Sequence, residues 1–232
     1  MQKQVISNAT LYCGDALEIL PTLTPDVNGV ITDPPYSSGG LNRNELHPEL
    51  SGTDRDQRSW AFWCSQWIAL SYRLMLPGAY FMAFTDWRFL PSMTDAVQAG
   101  GVMWRGLVVW DKTHSARAPH TGYFRHQAEY VVWGSTGKLA RCPHGGPFPG
   151  VISCRVNPAE KLHMTGKPLP VMAELIKPLS DTAHILDPFM GSGSTAIPVL
   201  QRGGRFTGIE MSQEYFDIAC TRIEQALALT GR

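Results

Sequence analysis

The stretch Asp187-Pro188-Phe189-Met190-Gly191-Ser192-Gly193 decides the fold, because it joins an apolar run, His184-Ile185-Leu186, to a glycine turn. Ser194-Thr195 and the apolar residues 196–200 follow it. This order predicts a buried strand, a turn and a helix. Glycines let the backbone approach a ligand closely, and the first turn of a helix offers free N–H groups. The alternative is a turn without a ligand.

A second run, Arg205-Phe206-Thr207-Gly208-Ile209, predicts the next strand and ends at Glu210. An acid in this place is positioned to accept hydrogen bonds from ribose hydroxyls. Gly-x-Gly alone is weak evidence, and the third glycine of the dinucleotide motif is missing. The order strand, turn, helix, strand and acid strengthens the prediction of a ribose-bearing ligand.

The tetrapeptide Asp33-Pro34-Pro35-Tyr36 follows another apolar run, Gly29-Val30-Ile31-Thr32. The two prolines fix two φ angles and hold the Asp33 carboxylate and the Pro34 carbonyl in place. Proline donates no N–H, so the loop is rich in acceptors, and Tyr36 adds a flat face for stacking. Acceptors beside a stacking face suit a planar amine such as the amino group of adenine or cytosine. A plain proline turn that caps a strand is the alternative.

Both motifs follow runs typical of buried parallel strands, and ligands of open α/β sheets bind outside the carboxyl ends of such strands. We therefore predict two neighbouring ligand sites. The length of 232 residues suits one α/β domain, 1–232, with insertions.

The two motifs together resemble those of the DNA amino-methyltransferases of the permuted, beta class, in which the catalytic motif precedes the cofactor motif. Met164 and Gly166 depart from the family's proline and glutamine. Five further segments carry the resemblance: Leu11-Tyr12-Cys13-Gly14-Asp15-Ala16, Leu76-Pro77-Gly78-Ala79-Tyr80-Phe81, His163-Met164-Thr165-Gly166-Lys167-Pro168-Leu169, Thr207-Gly208-Ile209-Glu210 and Tyr215-Phe216-Asp217-Ile218-Ala219.

The resemblance implies a Rossmann-like class I methyltransferase fold, a mostly parallel twisted sheet with helices on both faces. It implies methyl transfer from S-adenosylmethionine to a base flipped out of double-stranded DNA. An aspartate at the head of the catalytic motif favours the N6 amino group of adenine, and N4-cytosine is the close alternative. A methyltransferase for RNA or protein, and a non-catalytic DNA-binding protein that keeps the fold, are further alternatives.

The resemblance also implies the site residues. Asp33, Pro34, Pro35 and Tyr36 are expected to be catalytic, with Tyr36 stacked on the base. Glu210 is expected to hold the ribose, Asp15 the adenine amino group, and Thr165 and Lys167 the carboxylate of the cofactor. The full expected cofactor set is Asp15, Ala16, Thr165, Lys167, Asp187, Pro188, Phe189, Gly191, Ser192, Gly193, Ser194, Thr195 and Glu210.

Charge is distributed unevenly along a chain whose net charge is zero. Residues 1–102 carry a net −4, residues 103–163 a net +5 and residues 164–232 a net −1. A basic middle third indicates contact with phosphates, although a solvated basic face is the alternative. We expect 112–162 to be a short target-recognition region and 37–59 a mobile loop, or a surface insert, beside the base. The candidate DNA contacts are Arg43, Lys112, Arg117, Arg125, Lys138 and Arg141.

Composition excludes other classes. No run reaches the roughly 18 apolar residues that predict a membrane span, so we expect no membrane partner. Five scattered cysteines without a Cys-x-x-Cys pair fit the reducing cytosol of a bacterial host. No nuclease motif accompanies the chain, so we expect a solitary bacterial or phage enzyme. The sequence also allows a homodimer. The cysteines lie outside the motif loops, which argues against a C5-cytosine enzyme with a cysteine nucleophile. We expect no metal, because the spacing of Cys142, His144, Cys154 and His163 fits no usual zinc pattern.

Periodicity predicts the elements between the motifs. A helix is expected from Trp60 to Met75, with Phe62, Trp63, Trp67, Leu70 and Leu74 in the core. Strands are expected over 79–85, 104–110 and 130–133, and helices over 170–176 and 213–229.

Overall fold

The computed structural model describes residues 2–36, 56–116, 120–139, 142, 144–156 and 166–229. The strands are β1 Gln2–Ile6, β2 Ala9–Cys13, β3 Val27–Thr32, β4 Met75–Thr85, β5 Met103–Asp111, β6 Ala128–Ser135, β7 Val151–Ser153, β8 His184–Asp187 and β9 Arg205–Glu210. The helices are α1 Ala16–Ile19, α2 Gln57–Leu74, α3 Leu90–Ala99, α4 Leu169–Leu175, α5 Ala196–Gln201 and α6 Gln213–Ala228. None of these helices is long and apolar enough to cross a membrane.

The strands form one sheet in the order β1-β2-β9-β8-β3-β4-β6-β5-β7. The central strands β2, β9, β8, β3 and β4 run parallel, whereas β6 is antiparallel to both β4 and β5. The prediction of a mostly parallel α/β sheet is confirmed.

Each face of the sheet carries its own apolar cluster. Along β3, Val30 faces a cluster with α1, α2 and α3, and Ile31 faces the other, which includes residues of α4, α5 and α6. Consecutive side chains of a strand point to opposite faces, so the continuous apolar run of β3 is buried on both sides. Helices therefore cover both faces, as the resemblance implied.

Strand order reverses between β8 and β3. From β8 the chain passes through α5 to β9 on one side, and from β3 it passes through α2 to β4 on the other. The loops that follow β3 and β8 consequently diverge and leave a crevice at their carboxyl ends, where α/β proteins bind ligands. Asp33 and Asp187 lie at this point.

Helix α2 differs from its prediction at both ends. Its N-cap is Asp56, whose carboxylate accepts hydrogen bonds from the N–H groups of Arg58 and Ser59. The last residues of the expected 37–59 loop, 57–59, are therefore helical. At the other end the chain passes directly from Leu74 into β4, so Met75 belongs to the sheet.

One core prediction for α2 is wrong. Phe62 is 66% exposed, whereas Trp63, Trp67 and Leu74 are buried and Leu70 is half-buried. Phe62 lies two residues after the fully buried Trp60, which places it about 200° around the helix from that side chain.

Candidate active site

The loop after β3 is held from both sides. The Trp60 indole Nε1 donates to the Pro35 carbonyl over 2.9 Å. The Thr32 hydroxyl donates to Asp187 Oδ1 over 2.7 Å and so joins β3 to β8. Pro34 is buried, and the Asp33 side chain is 21% exposed. The predicted rigid loop thus presents a carboxylate at the crevice.

Tyr36 is bound through its hydroxyl group. The hydroxyl lies 2.8 Å from Asp33 Oδ1 and 3.3 Å from Glu129 Oε1. Its ring lies nearly parallel to that of Phe89, with 6.5 Å between the centroids. Burial raises the pKa of Tyr36 well above its ordinary value, so the hydroxyl keeps its proton as a donor. The stacking of Tyr36 on a base stays a prediction.

Glu129 is a site residue that the motifs did not reveal. It is 6% exposed and lies at the beginning of β6, beside the carboxyl end of β4. Lys167 Nζ lies 2.9 Å from its Oε1, and Lys112 Nζ lies 2.5 Å from its Oε2. The available signal was a lone acid at the head of an apolar strand.

Lys167 joins the two acids. Its ammonium also contacts Asp33 Oδ2, and its side chain is only 10% exposed. Burial opposes ionisation of Glu129, but Lys167 and Lys112 together lower its pKa to about 2. Burial likewise opposes the charge on Lys167, but Asp33 and Glu129 raise its pKa above the ordinary value. Asp33, Glu129, Lys167 and Lys112 thus form a compact set of two carboxyl and two amino groups, which we call the charge cluster.

The glycine turn after β8 leaves open space. Gly191 has a φ of +50°, and a Cβ placed there would meet nothing within 4 Å among the described residues. Its N–H donates to Glu210 Oε2 over 2.9 Å, while Ser212 N–H donates to Oε1 over 2.8 Å. Burial raises the pKa of Glu210, and these N–H groups oppose the rise. The acid at the end of β9 is thus fixed beside the turn.

Side chains of the turn point mainly into the protein. Arg222 Nη1 on α6 donates to the carbonyl and the hydroxyl of Ser192, at 2.7 and 2.6 Å. The Thr195 hydroxyl donates to Asp187 Oδ2 over 2.6 Å. Phe189 packs against the Trp63 and Trp67 rings, each 5.2 Å away between centroids. Arg222 is a second residue that the motifs did not reveal.

The sequence matches the family of DNA methylases called N6_N4_Mtase over residues 27–148 and 141–221. The chain belongs to this family. The type II methyltransferase M2.DpnII of Streptococcus pneumoniae is 27% identical over 241 residues, which cover 92% of the methylase and 89% of that relative.

Solved structures of DNA methyltransferases share the fold of this chain. The methylase resembles M1.HpyAVI, solved as a complex with SAM, with a TM-score of 0.70, 24% identity and coverage of 93% of this chain and 99% of that one. It resembles the PvuII DNA methyltransferase, described as cytosine-N4-specific, with a TM-score of 0.73, 16% identity and coverage of 98% and 93%. The expected fold and enzyme class are confirmed.

The other residues expected to bind the cofactor differ in exposure and in place along the chain. Asp15 is exposed and caps α1 by accepting from Leu17 N–H at 2.8 Å, and Ala16 is buried. Pro188, Ser194 and Gly193, the last with a φ of +79°, lie in the turn. Their contacts with the cofactor stay predictions.

The expected DNA contacts are divided in the same way. Lys112 lies in the charge cluster, Arg125 Nη1 donates to the Ala116 carbonyl at 3.0 Å, and Lys138 is exposed. Four expected site residues lie outside the described residues, as do much of 37–59 and parts of 112–162: Arg43, Arg117, Arg141 and Thr165.

Asp187 yields a test of stability against pH. Burial raises the pKa of this carboxyl to about 7, against three hydrogen-bond donors, Thr195, Thr32 and the Phe189 N–H. The unfolded chain loses this proton near pH 4 and the folded chain near pH 7, so the contribution of Asp187 to stability falls across that range. As the pH rises from 4 to 8, we expect the free energy of unfolding of Asp187→Asn to increase by roughly 2–4 kcal/mol relative to that of the wild type.

Urea unfolding of both proteins at intervals of pH measures this difference. A relative loss of stability for Asp187→Asn as the pH rises would mean that the three donors outweigh burial.

Proposed function

We propose that this methylase transfers a methyl group from S-adenosylmethionine to the N6 amino group of an adenine flipped out of duplex DNA. The observation that carries the proposal is the junction of the two loops at the strand reversal, where Thr32, which directly precedes Asp33, binds Asp187. A base held by the first loop and a cofactor held by the second lie side by side there. In-line methyl transfer needs such an arrangement.

The base is recognised through its amino group. The Pro35 carbonyl already accepts a hydrogen bond from Trp60. The acceptors that we assign to the substrate are therefore the Pro34 carbonyl and the Asp33 carboxylate. The lone pair of an aromatic amine is delocalised into its ring, and two acceptors on its N–H groups help to localise it for attack. The nitrogen would bond to the methyl carbon as the bond between that carbon and sulfur breaks, with the electron pair going to sulfur. The methylated nitrogen would then release one proton to the solvent. A base inside a duplex cannot reach this crevice and has to leave the stack.

The cofactor residues fit S-adenosylmethionine, which supplies an activated methyl group when bound. Glu210 presents a fixed carboxylate to the ribose hydroxyls, and Asp15 lies at the end of β2, the strand next to β9. The open space beside Gly191 accommodates the part of a ligand that passes close to the backbone. Support also comes from M1.HpyAVI, which was solved with this cofactor.

The aspartate at position 33 favours adenine over cytosine, as the resemblance implied. N4-cytosine is the second candidate, supported by the fold shared with the PvuII enzyme. Duplex DNA in a bacterial cytosol is the proposed substrate, and a homodimer stays a prediction.

Asp33→Ala tests the catalytic assignment. We expect methyl transfer to fall by at least about a hundred-fold, because one of two acceptors is lost, while the affinity for S-adenosylmethionine changes less than about two-fold. Radiolabelled transfer to DNA and calorimetry on the same preparation measure both. Mass spectrometry of the nucleosides made by the wild type should find N6-methyladenine, whereas N4-methylcytosine would select the second candidate.

Glu210→Ala tests the cofactor assignment. Loss of a hydrogen bond to a buried charged group costs roughly 1.5–3 kcal/mol, so we expect S-adenosylmethionine to bind about ten- to a hundred-fold more weakly. The matched control is Glu214→Ala, an exposed acid in the first turn of α6. Equal affinities for the two variants would place the cofactor elsewhere.

Arg125→Ala and Lys138→Ala test the DNA surface. The logarithm of the binding constant for duplex DNA should fall linearly with the logarithm of the salt concentration, and each phosphate contact removed should make that slope shallower by about one unit. Lys177→Ala is the control, because Lys177 is exposed, pairs with Glu174 and lies outside the basic segment. Slopes identical to the wild type would make the segment a solvated face.

A further inference from the structure

We infer that Lys167 and Glu129 are positioning residues for Asp33, which keep its carboxylate charged and aimed at the target amine, so that Lys167 serves methyl transfer rather than cofactor binding. The inference rests on the proposed function. It departs from the expectation that Lys167 meets the carboxylate of the cofactor.

Geometry carries the inference. Lys167 Nζ contacts Asp33 Oδ2 and Glu129 Oε1, and the Tyr36 hydroxyl lies within 3.3 Å of the other Asp33 oxygen and of Glu129 Oε1. The two carboxylates are thus joined twice, once by an ammonium and once by a hydroxyl. Glu129 and Lys167 are each at most 10% exposed at the side chain, so little water competes with these contacts.

The ammonium is also fixed laterally by aromatic rings. Lys167 Nζ lies 5.0 Å from the centroid of Phe84 and 5.8 Å from that of Tyr36. A cation within about 6 Å of a ring face is attracted by the ring. Glu129 is in turn held by Lys112, so the position of Lys167 is determined from three sides.

Asp33 keeps the capacity to bind substrate in this arrangement. Each carboxylate oxygen accepts about two hydrogen bonds. Tyr36 donates one hydrogen bond to Oδ1 of Asp33, and Lys167 donates one to Oδ2. The remaining lone pairs can accept from the amino group of a base. Protonation of Asp33 would replace an acceptor with a donor, so the chemistry needs the ionised form.

Lys167 opposes that protonation. Burial raises the pKa of Asp33, Lys167 lowers it, and the nearby Glu129 raises it again. Two buried carboxylates without a cation between them cannot both stay ionised easily. Within the described residues, the titratable and charged groups around Asp33 are Lys167, Glu129, Tyr36 and Asp187, with Lys112 acting on Glu129 and Asp86 acting on Tyr36.

The test compares the full-length wild type with Lys167→Met, Glu129→Gln and the double variant, with Lys177→Met as the matched surface control. Two quantities are measured: S-adenosylmethionine affinity by calorimetry, and the single-turnover rate on duplex DNA between pH 5 and pH 9. For Lys167→Met we expect the rate at pH 7 to fall about a hundred-fold, while the affinity for S-adenosylmethionine stays within about two-fold of the wild type. We also expect the acidic limb of the pH–rate profile, where the rate falls as Asp33 gains a proton, to move to higher pH.

The double variant distinguishes electrostatics from structure. Removal of Glu129 takes away the charge that repels Asp33, so in the Lys167→Met background Glu129→Gln should return the acidic limb toward the wild type and recover part of the rate. A merely structural role would lower the rate at every pH and make the two losses accumulate. Lys167→Arg keeps the charge and should keep the wild-type limb, which preserves the test if Lys167→Met does not fold.

Three results would overturn the inference: a cofactor affinity about tenfold weaker with a normal rate at saturation, an unmoved acidic limb, or a double variant slower than both single variants. Each presupposes an active wild type. A wild type that methylates neither adenine nor cytosine in DNA would instead refute the proposed function itself.

Discussion

Two acids at one point of the sheet, the half-buried Asp33 and the buried Asp187, impose the constraint on which the site depends. They lie at the carboxyl ends of adjacent parallel strands, and the hydroxyl of Thr32, the residue before Asp33, donates to the Asp187 carboxylate. Burial raises the pKa of both, and Asp33 adds to the rise at Asp187. Each acid therefore needs compensation from its surroundings, because an uncompensated buried charge is costly.

The two acids are compensated in different ways, and this difference separates their roles. Asp187 is surrounded by neutral donors, the hydroxyls of Thr32 and Thr195 and the Phe189 N–H, which fix the glycine turn without a cation from the part of the chain that the structure describes. Asp33 has the Lys167 ammonium, which supports the charged form of an acceptor. The first arrangement shapes a loop, and the second, on the function proposed above, maintains the carboxylate that meets the target amine.

The sequence predicted the parts of the site that local order determines. An acid after an apolar run located Asp33, Asp187 and Glu210 at strand ends, because backbone direction follows from strand, turn and helix in succession. The same local order did not reveal that Lys167 pairs with Glu129. That contact depends on β6 returning antiparallel beside β4, which no motif encodes. Lys112 looked like a surface cation for the same reason, and Phe62 was misplaced because an apolar residue type does not state which side of a helix it occupies.

The separation of the motifs along the chain has a physical consequence. The Thr32–Asp187 bond joins residues 155 positions apart, and the Lys167–Asp33 pair joins residues 134 apart. The Thr32–Asp187 bond requires β8 to lie beside β3 in the sheet. Closing such long loops costs entropy before any contact repays it, so both contacts depend on the assembled sheet rather than on either motif alone. A partly folded chain could hold one motif in place, but the charge cluster, to which we assign the ionised form of Asp33, belongs to the completed sheet.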